Sequence, residues 1–265
     1  MRKNFLISTG GSGGHVMPAI ILHEHLFNEA NVIMSIDKRG LKYLDTKNYK
    51  YEVINTPKLD NIFFLPLNLI FILILILKSI FLLKNEKIEK VFSIGGYMSL
   101  PIILASKILG LKIYLIEPNQ VIGRANRYFL NFCKKIFCYT YELKNFPKYH
   151  KKKMIRINPL VKKNFYKIKL SFQKKKKFTI LVVGGSQGAS IFDKNLKKFI
   201  VNISKNYPIK IIQQTNEKNV YFLKNFYSEN KVENEIFSFK KDFESIVQNV
   251  DLCITRAGAS TLAEL

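Results

Sequence analysis

Residues 5–18 read FLISTGGSGGHVMP, and this stretch decides the fold. An apolar run closing on Ser8 and Thr9 predicts a buried parallel strand. The glycine-rich turn after it must admit positive φ and let backbone N–H groups approach something closely. Residues 19–30, AIILHEHLFNEA, carry helical apolar spacing. Strand, turn and helix together make an anion site, because unpaired N–H groups at the helix start point into the turn. His15 lies inside that turn, where the helix dipole disfavours its charged form. A neutral imidazole able to accept a proton near pH 7 is expected, with a purely structural histidine as the alternative.

Two other glycine loops compete for the same residues. The phosphate loop of nucleoside triphosphatases needs a Gly-Lys-Ser/Thr ending, and Gly14 is followed by His15 and Val16. The dinucleotide fingerprint comes closer, since Gly11, Ser12 and Gly13 fit G-x-G and Asp37 ends a plausible second strand, NVIMSID. Its third glycine would fall at Val16, so this remains the minor reading.

The chain has 265 residues, 48% of them hydrophobic, which is ample for two medium domains. Its formal charge of +24 comes from 43 Lys and Arg against 19 Asp and Glu. That excess points to a negatively charged partner: nucleic acid, anionic lipid or a phosphorylated substrate. Joint enrichment in lysine, asparagine, isoleucine and phenylalanine, as in an AT-rich genome, accounts for part of it. Cys133, Cys138 and Cys253 show no CxxC spacing, which fits a reducing cytoplasm and no metal site. Residues 2–4 lead straight into the first strand, and no signal peptide is visible.

Residues 41–59 are mixed and polar, and residues 62–83, IFFLPLNLIFILILILKSIFLL, are the most apolar stretch. Pro66, Asn68 and Lys78 are expected to interrupt it and leave only residues 69–77 whole, too short to cross a bilayer as a helix. A helix lying on or partly in a membrane surface is predicted, with Lys58, Lys78, Lys84, Lys87 and Lys90 facing anionic headgroups. A buried helix and a true span are the alternatives.

Strands then alternate with helices: residues 90–94 end in Gly95-Gly96-Tyr97, residues 112–117 lead to a turn with Glu117, Pro118 and Asn119, and residues 135–139 form another strand. This alternation predicts a parallel sheet with the first glycine turn, Gly95-Gly96 and Asn119 on one rim. Residues 149–177 are basic and irregular and read as the linker. Strand, glycine turn and helix restart at FTILVVGGSQGAS, with further strands at 209–213, 235–239 and 251–255 and a helix opening at residues 256–258. Two Rossmann-like parallel-sheet domains facing a cleft are expected, residues 1–157 and 158–265. The second is expected to be incomplete, since its last helix stops in the second turn.

No Asp-x-Asp pair is present to hold a divalent metal. A sugar-nucleotide enzyme built this way would neutralise its leaving diphosphate with backbone N–H groups, helix dipoles and basic side chains. Residues 184–188 and 258–261 supply such groups, and Glu264 could accept hydrogen bonds from ribose hydroxyls. A solvated carboxylate on a helix face is the other reading of Glu264.

GGSGGHVMPA, GGYMSLP, the EPN triplet, VVGGSQGAS and TRAGASTLAE occur in the order found in the MurG family, which the chain resembles from end to end. These are membrane-associated GT-B glycosyltransferases that move N-acetylglucosamine from its UDP-sugar to lipid I, giving lipid II for peptidoglycan. The resemblance implies an acceptor-binding first domain, a UDP-sugar-binding second domain, no cofactor or metal, no nucleic acid, and peripheral docking on the cytoplasmic face of the bacterial membrane through residues 62–83. It implies that Ser12, Gly13 and Gly14 form the family's substrate loop, with serine in place of threonine. His15 matches the histidine proposed as general base. Asn119 matches the asparagine of Glu-Gln-Asn, with Pro118 in place of glutamine, and Ser186 the serine that meets the diphosphate. Lys240 falls where a backbone contact to uracil is expected, and Ala259, Ser260, Thr261, Leu262, Ala263 and Glu264 match the helix start that holds nucleotide and ribose. Val161 stands where the family usually has arginine, with Lys162 and Lys163 beside it. The family also continues past residue 265, so a truncated remnant that only binds membrane or UDP, or a transferase with another lipid acceptor, stays open.

Overall fold

The computed structural model describes residues 2–57, 62–167, 177–184, 190–238, 240, 243–256 and 258–265. The chain divides into two compact units, Met1–Val161 and Lys162–Leu265.

The first unit is a seven-stranded parallel sheet. Its strands are β1 (Lys3–Ser8), β2 (Ala30–Ile36), β3 (Tyr51–Val53), β4 (Lys90–Ser93), β5 (Lys112–Glu117), β6 (Lys135–Cys138) and β7 (Met154–Arg156), in the order β3-β2-β1-β4-β5-β6-β7. The short outer strands β3 and β7 fall in stretches that read as irregular, because three residues give too little alternation to be seen in a sequence. Successive strand residues go to opposite faces. Leu6, Ile33 and Val91 join one core, whereas Phe5, Ile7, Val32 and Met34 join the other. Helix α1 (Gly13–Leu26) covers the second core, and α2 (Leu65–Asn85), α3 (Leu100–Ile108) and α4 (Arg124–Phe129) cover the first.

Helix α2 corrects the expected interruption. It runs unbroken for 21 residues, roughly 30 Å at 1.5 Å per residue. Pro66 sits at the helix start, where its missing N–H costs no internal bond. Length therefore does not exclude a span, and mean hydropathy reaches 2.5. Packing argues otherwise: Ile72, Ile76, Ser79 and Leu83 recur at helical spacing and are buried, on the side that meets α3. The other side presents Leu67, Ile70, Phe71, Ile74, Leu77 and Phe81 to solvent. Lys78 pairs with Glu52 at 2.6 Å, Lys84 and Lys87 are exposed, and Lys58 lies outside the described residues.

The second unit holds a four-stranded parallel sheet in the order β10-β9-β8-β11. These strands are β8 (Phe178–Val183), β9 (Ile209–Gln214), β10 (Glu233–Phe237) and β11 (Leu252–Thr255). Strand β10 starts and ends two residues before the expected 235–239, so Lys240 lies farther into the loop. Helices α5 (Ser190–Ser204) and α6 (Glu217–Glu229) pack on one face through Ile200, Leu223 and Tyr227. Helix α7 (Phe243–Val247) packs on the other through Ile246, and α8 (Ala259–Glu264) follows β11.

Candidate active site

In the first unit, β1, β4 and β5 are neighbours, so the loops leaving their carboxyl ends share one rim. The turn after β1 uses glycine where it must: Gly10 has φ +152° and Gly11 +79°. A Cβ on Gly10 would fall 2.5 Å from Asp37 Oδ1. After β4, Gly95 (φ +96°) and Gly96 (φ +84°) make the second close approach, with the His15 ring carbon Cδ2 3.9 Å from where a Cβ on Gly96 would stand. Ser12 caps α1 in an extended conformation without a side-chain bond, followed by Gly13, Gly14 and His15 in the first turn. The structure thus brings Ser12, Gly13, Gly14 and His15 together with the β4 loop.

Burial pushes the His15 pKa below its ordinary 6.5, against the opposing pull of Glu117 and the Ile94 carbonyl. The imidazole is therefore neutral at pH 7, as the helix position suggested, with burial as the larger cause. Its Nδ1 is buried and, among the described residues, has no hydrogen-bond partner.

Glu117, at the end of β5, is 2% exposed and organises the third loop. One oxygen accepts from the Asn119 backbone N–H (3.2 Å) and side-chain amide (3.0 Å). The other accepts from Gly123 N–H (2.8 Å) and Asn126 Nδ2 (3.0 Å). Asn119 is itself exposed, and with one of its two amide N–H donors on Glu117, the other donor and the carbonyl oxygen are left to meet a ligand. In the sequence Glu117 stands out only as part of a turn, and Asn126, whose side chain packs against Gly95, does not stand out at all. A buried carboxylate nine residues before an asparagine carries no local signal.

Asp37 settles the dinucleotide reading. Its carboxylate is 4% exposed and accepts from Gly11 N–H (2.7 Å), Gly40 N–H (3.0 Å) and Arg39 Nε (2.8 Å). A carboxylate already holding three internal donors is not available to a ribose.

In the second unit, β8 and β11 are paired, Val183 with Thr255, so the second glycine turn and the start of α8 share a rim. Arg256 grips the Gly184 carbonyl through Nε (3.1 Å) and Nη2 (2.6 Å). Ser186 lies outside the described residues. Residues Ala259, Ser260, Thr261, Leu262, Ala263 and Glu264 form α8 behind an extended Gly258. Glu264 is raised to about 7, chiefly by burial, with Lys162 lowering it and Glu244 raising it. Burial of this kind sets aside a fully solvated carboxylate on the helix face, which would keep an ordinary pKa. The Lys240 side chain folds back onto Glu235 and over the Phe237 ring, 5.5 Å from its centroid.

Residues 5–138 match the glycosyltransferase family 28 N-terminal domain, and residues 179–265 match the family's C-terminal domain. The chain belongs to glycosyltransferase family 28. Among curated family relatives, the UDP-N-acetylglucosamine–N-acetylmuramyl-(pentapeptide) pyrophosphoryl-undecaprenol N-acetylglucosamine transferase of Pelagibacter ubique is 46% identical over 100% of this chain and 75% of its own length. The enzyme of that name from Rickettsia felis is 31% identical over 99% of this chain and 76% of its own. The crystal structure of Acinetobacter baumannii MurG aligns with a TM-score of 0.72 at 24% identity, covering 97% of this family 28 chain and 74% of that one. The two parallel-sheet α/β units are thus GT-B-like, and the family 28 chain is a glycosyltransferase.

Proposed function

We propose that this chain transfers N-acetylglucosamine from its UDP-sugar to the C4 hydroxyl of undecaprenyl-pyrophosphoryl-N-acetylmuramyl-pentapeptide, with inversion, as the last sugar addition to the lipid precursor of peptidoglycan. The observation that carries this reading is His15, neutral and set beside the Gly96 loop with the buried Glu117 carboxylate acting on it. The first unit takes the lipid-linked acceptor through Ser12, Gly13, Gly14 and Asn119. The second takes the UDP-sugar through the Ser186 turn, the backbone at Lys240, and Ala259 to Glu264. As the muramyl C4 oxygen attacks the anomeric carbon, the bond to UDP breaks on the opposite face and the hydroxyl proton passes to the His15 imidazole. Glu117 favours the imidazolium that results. Negative charge growing on the departing diphosphate is met by backbone N–H groups of the second glycine turn and the α8 start.

The test is transfer of labelled N-acetylglucosamine to a lipid I analogue. His15→Ala should lose about a hundredfold or more, the scale of acid–base contributions. Equal rates in both proteins would remove His15 from the chemistry, and no transfer by the unaltered chain would overturn the assignment.

We further place the enzyme on the cytoplasmic face of the membrane, held by the exposed side of α2. Its apolar residues, with Lys84 and Lys87 at one end, suit an interface in which the rings enter the acyl boundary and the ammonium groups meet anionic headgroups. Replacing Phe71, Ile74 and Phe81 together by serine should cut cosedimentation with phosphatidylglycerol vesicles by about tenfold or more, given the apolar area removed. Unchanged binding would sink the placement.

A further inference from the structure

Arg39 has no part in the reading above, yet it is an exposed cation on the first rim held by two side chains. Its Nε donates to Asp37 Oδ2 at 2.8 Å and its Nη2 to the Tyr97 hydroxyl at 2.8 Å. Its Cζ lies 5.4 Å from the Tyr97 ring centroid. Half of the side chain nevertheless remains exposed. Pairing with the buried Asp37 carboxylate gives Arg39 a structural role that uses its Nε–H, and the exposed half of the guanidinium is left over from that role.

Location supplies the missing term. The Nη2 atom stands 3.7 Å from the position a Cβ on Gly11 would take, at the shoulder of the first glycine turn. Tyr97 follows Gly96, the residue beside His15, so the guanidinium, the turn and the imidazole border one patch of rim. Asp37 sits buried behind Arg39 and shares its charge with Gly11 N–H and Gly40 N–H. Among the described residues two of the five guanidinium N–H groups are engaged, and the others form a flat edge suited to two phosphate oxygens.

We propose that Arg39, aimed by Asp37 and Tyr97, recognises the diphosphate that links the acceptor sugar to its lipid. The proposal rests on the acceptor reading of the first unit, and its test is a binding measurement that needs no transfer. Geranyl diphosphate is titrated calorimetrically into the protein in saturating UDP, which keeps the donor site filled. Arg39→Ala should weaken binding about tenfold or more, the loss of two charge-assisted bonds. Arg39→Lys should also weaken it severalfold, because an ammonium keeps charge but loses the fork. Tyr97→Phe, which removes only the hydroxyl that aims the guanidinium, should cost about threefold and guards against a fold defect in the Arg39 variants. With geranyl monophosphate the difference between wild type and Arg39→Lys should shrink. In steady state, Arg39→Lys should raise KM for the lipid I analogue and leave KM for the UDP-sugar unchanged. Equal geranyl diphosphate affinity in wild type and Arg39→Lys, no binding by the wild type, or a rise confined to the donor KM would each overturn the proposal. Loss of diphosphate binding in an Arg39 variant of a protein that transfers nothing would leave this inference standing and remove the proposed function.

Discussion

The two glycine turns read alike in the sequence and are braced with opposite polarity. In the first unit the brace is a carboxylate: Asp37, at the end of β2, accepts the N–H of Gly11. In the second it is a guanidinium: Arg256, at the end of β11, donates to the carbonyl of Gly184. Strands β1 and β8 hold the same topological place, each central between two parallel neighbours, β2 and β4 in one case and β9 and β11 in the other. The brace comes from the neighbour next along the chain in the first unit and from the later one in the second. A glycine turn therefore fixes where the backbone comes close, while the residue beyond an adjacent strand decides which of its polar groups are spent. The second unit keeps a buried aspartate too, but uses it elsewhere. Asp193 accepts from Gln213 (2.9 Å), Thr215 (2.6 Å) and Asn219 (2.9 Å), tying α5 to the end of β9 and the start of α6.

On this comparison the largest stability effects belong to the two aspartates. Asp193→Ala leaves three donors without their acceptor in a buried site and should destabilise the second unit by about 3 kcal/mol. Asp37→Ala should cost the first unit a similar amount and also free Arg39. Arg256→Ala removes an exposed side chain together with its bonds to the Gly184 carbonyl and should cost less, nearer ~1 kcal/mol. Hydrogen exchange read separately at β8 and β1 keeps the units apart, as a single melting curve for two domains does not. An Arg256→Ala effect as large as that of Asp193→Ala would erase the distinction.

Much of this was legible beforehand, and the misses have a common cause. The strand, turn and helix units, both parallel sheets and the positions of Ser12, Gly13, Gly14 and His15 follow from apolar runs broken by glycine, a signal confined to a dozen residues. The brace residues do not, because Asp37, Glu117 and Arg39 act across 26, 9 and 58 residues to Gly11, Asn126 and Tyr97. Asp37 even invited a wrong role, since a ribose ligand and a turn brace ask for the same carboxylate after the same strand. The unbroken α2 is not legible because Pro66, Asn68 and Lys78 all read as interruptions, although a proline at a helix start breaks nothing and the helix runs through the other two.

Burial shifts one titrating group on each rim toward its neutral form, and this gives the smallest expected effect. Burial lowers the pKa of His15 and raises that of Glu264 to about 7, so each is drawn toward its neutral form. The consequences with pH run opposite ways. Lowered below its unfolded value, His15 adds stability above pH 6.5 that is lost as pH falls through its folded pKa. Glu264, raised above 4.5, adds stability below that value which is lost as pH rises through about 7. On the proposed role of Glu264, ribose hydroxyls that donate to it favour its ionised form, so UDP-N-acetylglucosamine, whose diphosphate does not titrate in this range, should bind about tenfold more tightly at pH 8 than at pH 6. Below pH 7 binding should release a proton, detectable as a heat that varies with the buffer's ionisation enthalpy. Glu264→Gln should flatten the profile and abolish the release. A profile that stays steep in Glu264→Gln would move the titration to another group and leave His15 as the one rim residue whose charge is set by burial.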